Sequence, residues 1–99
     1  MKVIDDLAYQ MIDEVEGAKN YAEKYIESKT IGDSQLMSRL YEMAQDELKH
    51  AEYIYDKMVN EIEKIHAVVS MPSKSVDEWN RHKSKYIECA AWVKYILSL

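Results

Sequence analysis

Three side chains in this sequence sit where polar groups are expensive. Ile4, Leu7, Met11, Glu14, Ala18, Tyr21 and Tyr25 recur at spacings of three and four, and so do Leu36, Leu40, Met43, Glu47, His50, Ile54, Met58 and Ile62. Each series marks one face of a helix. Glu14, Glu47 and His50 interrupt stripes that are otherwise apolar or aromatic, and charge on a core face costs several kcal/mol unless it is paired or binds a metal. Carboxylate and imidazole together are the ligand set of divalent transition metals. His50 lies one turn beyond Glu47 on the same face, because residues three apart are neighbours on a helix.

The elements that bring these residues together follow from the breaks in the chain. Lys29-Thr30-Ile31-Gly32-Asp33-Ser34 is a short helix-to-helix turn, in which Gly32 can take the left-handed closing position and Asp33 or Ser34 can cap the next helix. Such a turn folds the flanking helices into an antiparallel hairpin. Glu14 and Glu47 are about equidistant from its centre, so the three candidate ligands converge at one height. The second break is Ser70-Met71-Pro72-Ser73-Lys74, where proline cannot continue a helix. Ser75-Val76-Asp77-Glu78 then matches a capping box and predicts a third helix. The expected spans are about 3–29, 34–69 and 76–98, in one all-α domain covering 1–99.

Composition agrees with that class. Two glycines and one proline in 99 residues leave too little turn material for a sandwich or barrel, while 47% hydrophobic and 31% charged residues suit a folded chain. The formal net charge of −5 gives no positive field for a phosphate backbone, so nucleic acid is not an expected partner. The N-terminal residues lack a signal-peptide core, and Tyr86 to Leu99 is too short to span a bilayer, so no membrane partner is expected. The lone Cys89 excludes an internal disulfide and suits a cytoplasmic setting.

A glutamate on one helix and Glu-x-x-His on another are the parts from which helical bundles build di-metal carboxylate sites. One hairpin carries only half of such a site, since two glutamates and one histidine cannot hold two ions. A two-fold partner would supply four Glu and two His in a closed four-helix bundle, so the expected assembly is a homodimer or higher homo-oligomer. The third helix has Ala91 where Glu88 would need a histidine three residues on, and cannot supply the missing half.

Asp13-Glu14-Val15-Glu16-Gly17-Ala18-Lys19-Asn20-Tyr21-Ala22 and Ala44-Gln45-Asp46-Glu47-Leu48-Lys49-His50-Ala51-Glu52 resemble the metal-binding half of the ferritin-like superfamily, particularly rubrerythrins and encapsulated ferritins. The resemblance covers roughly the first two thirds of the chain. It implies a ferritin-like four-helix bundle formed by dimerisation and Glu14, Glu47 and His50 as ligands. It also implies two iron ions per dimer and oxidation of ferrous iron by oxygen or peroxide. Manganese or zinc can occupy the same ligands. The chain departs from the family in having no second Glu and Glu-x-x-His half and no Cys-x-x-Cys pair for a rubredoxin-type iron.

Each candidate also has a plainer reading. The trio can be interface glutamates hydrogen-bonded to tyrosines beside a satisfied core histidine, in a metal-free helical interaction or adaptor protein of phage or bacterial type. Glu16 rivals Glu14 as first-helix ligand, or could guard an entry path, but points about 160° away and reads as solvated. Tyr21 and Tyr25 share the Glu14 face and could hydrogen-bond a ligand carboxylate or pass electrons, though such tyrosines are often core residues with a wet hydroxyl. The second Glu-x-x-His, Glu63 to His66, falls on nearly the opposite face of its helix, and His82 and Glu88 read as surface.

Overall fold

The computed structural model describes residues 2–68 and 71–99, and side chains within those ranges except at 66–68. The described residues form three helices and no strand: α1 (Lys2–Ile31), α2 (Ser34–Val68) and α3 (Ser73–Ser98). The expected helix end at Val69, the start of the second break at Ser70 and the side chain of His66 lie outside the described residues.

The turn between α1 and α2 is made as its residue types require. Gly32 has φ +78, a left-handed conformation that an L side chain resists. Its N–H donates to the Ser28 carbonyl at 3.2 Å. The Asp33 carboxylate accepts from the Leu36 N–H at 3.0 Å, and the Asp33 carbonyl starts the helical ladder with Met37. Asp33, rather than Ser34, therefore caps α2.

At α3 the outcome differs. The helix begins at Ser73, about one turn before the Ser75 capping box would start it, and no side chain caps it. Pro72 (φ −58, ψ 144) is the N-cap residue, and its carbonyl accepts from the Val76 N–H at 3.1 Å. Proline at a helix start sacrifices no hydrogen bond and has φ already set, so the backbone begins the helix without a side-chain cap.

α1 and α2 pair along their length as an antiparallel hairpin, and α3 lies chiefly along α1. The buried line of α1 is Ile4, Ala8, Met11, Ile12, Val15, Ala18 and Ala22. It is rotated from the predicted stripe, and Leu7, Glu14, Tyr21 and Tyr25 are only half-buried. The reason is the third helix. Ile12 and Val15 turn toward α3, where the Cys89 thiol lies 3.5 Å from the Val15 carbonyl and Lys85 Nζ lies 2.7 Å from Glu16 Oε1. From α2, Tyr55 stacks on Tyr86 and Trp79, and Glu52 pairs with Lys94 at 3.2 Å. α3 thereby covers one face of the hairpin and leaves the opposite face bare.

Candidate metal centre

The bare face carries the polar trio. At about 100° per residue, Glu14 points roughly 160° away from the α3-facing Glu16, and His50 roughly 160° away from the α3-facing Glu52. Glu14, Glu47 and His50 each offer a ligand atom, and these atoms all lie within 4.8 Å of one another. His50 Nδ1 is 3.6 Å from Glu14 Oε2. Glu14 and Glu47 are half-buried, whereas the His50 side chain is 62% exposed.

The electrostatics are those of two carboxylates sharing too little positive charge. The Glu47 carboxyl is held above the usual carboxylate range, chiefly by a hydrogen bond with Glu14, then by burial and by the Glu14 charge, with His50 pulling the other way. Among the described residues no Lys or Arg pairs with either glutamate, although Lys2, Lys19, Arg39, Lys64, Lys85 and Lys94 all pair with other acids. Two carboxylates this close repel unless a proton or a cation is shared between them. None of their oxygens is both sealed from solvent and without a partner, and the exposed His50 side chain leaves the cluster open to solvent.

The donor set fits a divalent transition metal. Nitrogen and carboxylate oxygen ligands bind zinc at about 2.0 to 2.2 Å, which puts two ligands of one ion at most about 4.4 Å apart. A spread within 4.8 Å needs only a small side-chain adjustment to close on one ion. The three candidate ligands come from two helices, which fix side chains better than a loop would.

The other candidates take different places. Glu16 is engaged by Lys85 on the α3 side and does not join the trio. Tyr21 and Tyr25 lie on the bare face, but seven and eleven residues beyond Glu14, about 10 and 16 Å along the axis. Tyr25 packs edge-on against Tyr41, with Lys29 over its ring. His82 is half-buried against the Tyr9 ring, and Glu88 and Glu63 are exposed. Sequence reasoning overlooked Gly17, whose backbone lies against the Glu47 carboxylate. The available signal was a glycine in mid-helix, one turn from a candidate ligand.

Searches against family models, curated proteins and solved structures find no match.

Proposed function

We propose that this chain binds divalent transition metal through Glu14, Glu47 and His50. On this reading the trio is half of a di-metal carboxylate centre completed by a second copy in a ferritin-like four-helix bundle. The observation that carries the reading is the convergence of three ligand atoms from two helices on the one face that α3 leaves open. Two glutamates and a histidine are too few for two ions, so the partner's equivalent face is part of the proposal. Iron is the metal we favour, two ions per dimer, with manganese and zinc as competitors for the same ligands.

Bound iron would supply redox chemistry, taking electrons from Fe²⁺ to oxygen or peroxide, which makes ferroxidase the proposed activity. The chain's own residues bind and orient. Glu14 and Glu47 must be ionised and His50 neutral to donate. The half-buried carboxylates are held by α1 and α2, and the exposed imidazole is free to turn toward them. A lone free Cys89 is consistent with a reducing cytoplasm, and no helix among the described residues is long and apolar enough to cross a membrane.

The test is an aerobic titration with Fe²⁺, followed by absorbance, beside thermal melts with Fe²⁺, Mn²⁺ or Zn²⁺. Metal that binds the native state must raise the melting temperature. Both signals should vanish in Glu47→Ala and His50→Ala; equal responses from wild type and variants would remove the proposal. The second reading is a metal-free interaction protein, favoured by the His50 to Glu14 contact and by the absence of any orphaned buried oxygen in the cluster. It predicts a chain purified without metal whose melting temperature ignores all three ions.

A further inference from the structure

Among the described residues Gly17 is the only glycine inside a helix, and the backbone does not need it. The positive φ belongs to Gly32 alone among the described residues. An ordinary helical conformation suits alanine better than glycine by roughly 0.5–1 kcal/mol. Something else must favour a missing side chain at this half-buried position.

A β-carbon built at Gly17 would lie 3.2 Å from Glu47 Oε2, 3.7 Å from its Cδ and 3.9 Å from its Cγ. Its three nearest atoms all belong to this one side chain. The α2 backbone is not among them, so the glycine is not there to let the helices approach. It clears space for a carboxylate. Glu14 is three residues earlier on the same helix, so the notch at Gly17 seats Glu47 beside the Glu14 carboxylate and within reach of His50.

We propose that Gly17 is a positioning residue for the metal centre, its absent side chain forming the notch in α1 that holds the Glu47 carboxylate in register with Glu14 and His50. This rests on the metal reading of the trio, which it deepens. A methyl group at position 17 presses on the end of a flexible side chain. Helix α1 survives, and the Glu47 oxygen gives way by a few tenths of an ångström, away from the other two ligands. Metal affinity suffers while the fold does not.

The probe is Zn²⁺, whose binding is read by calorimetry without oxygen chemistry. Gly17→Ala is expected to weaken Zn²⁺ binding about tenfold, the lower end of what disturbing a ligand's support costs. In metal-free protein, the same substitution should raise the melting temperature by a few degrees in a Glu47→Ala background, where helix propensity acts alone. It should raise it by less, or lower it, where Glu47 is present. Additive thermal shifts, or a Zn²⁺ affinity indifferent to Gly17→Ala, would overturn the proposal. A wild-type chain that binds no Zn²⁺ overturns the metal reading instead, and the metal-free thermal cycle still decides whether Gly17 seats Glu47.

Discussion

Glu47 is the residue at which charge, proton and metal compete. Its carboxyl lies above the usual range in the folded chain, first through the hydrogen bond with Glu14. Between its unfolded and folded pKa values the native state holds the extra proton. That contribution to stability is complete below the unfolded value and is lost as pH rises through the folded one. Metal-free protein should therefore lose stability as pH rises just above the ordinary carboxylate value. Glu47→Gln should flatten this dependence in thermal melts taken from the ordinary carboxylate value upward. Metal acts with the opposite sign, because it needs the proton gone: the melting-temperature rise given by Zn²⁺ should grow over the same interval. Identical slopes in wild type and Glu47→Gln would remove Glu47 as the titrating group. Cys89 is the contrasting case, since burial pushes its thiol up and its S–H lies against the Val15 carbonyl. It should react with iodoacetamide at neutral pH far more slowly than a thiol of the denatured chain.

At the level of the elements, the two inter-helix junctions are built on different principles, and substitutions separate them. Asp33 caps α2 through its carboxylate, so Asp33→Ala should cost about 1 kcal/mol and several degrees of melting temperature. Gly32→Ala should cost about 1–2 kcal/mol by forcing a β-carbon into left-handed backbone, although the space around it is open. Ser75→Ala should stay within about 0.5 kcal/mol, because the serine caps nothing. Chemical denaturation of the three variants checks this order. The inner faces leave less latitude: Met11 and Met58 are fully buried, and truncating either to alanine should cost about 2–5 kcal/mol.

As a whole the molecule is a rod of 55 × 19 × 17 Å, with a radius of gyration of 16.0 Å against about 13 Å for a compact chain of this length. Its accessible surface, 6559 Å², likewise exceeds the roughly 5,800 Å² expected for a monomer of 11.6 kDa. Three helices leave the hairpin with one covered face and one bare. Leu40 and Met43 are half-buried on the bare side, and Leu36 is 39% exposed. Under the proposed reading that face meets its copy around the metal ligands. Sedimentation equilibrium should then show a dimer strengthened by Zn²⁺, and Met43→Lys should yield a helical monomer that no longer responds to the ion. A wild-type chain that stays monomeric at high concentration with Zn²⁺ present would sink the shared centre.

Three helices, their hinge at Gly32 and the candidate trio were legible in the residues alone, because local rules govern them. Glycine and proline mark the breaks, a period near 3.6 marks the faces, and a short turn puts residues equidistant from it at one height. The start of α3 was not legible, since a capping box is a local preference that Pro72 pre-empts at the backbone. Which edge of each stripe is buried was not legible. Glu14 and Glu47 are half-buried at the rim instead of in the core because α3 packs on the other side of the hairpin, and that choice is made by the buried face of α3, Trp79, Tyr86, Ala90, Val93 and Ile96, meeting residues far away in the chain. The fit of Glu47 against Gly17 is likewise tertiary: the spacing within one helix can bring neighbours to a face, but only packing between helices decides where a carboxylate finds room.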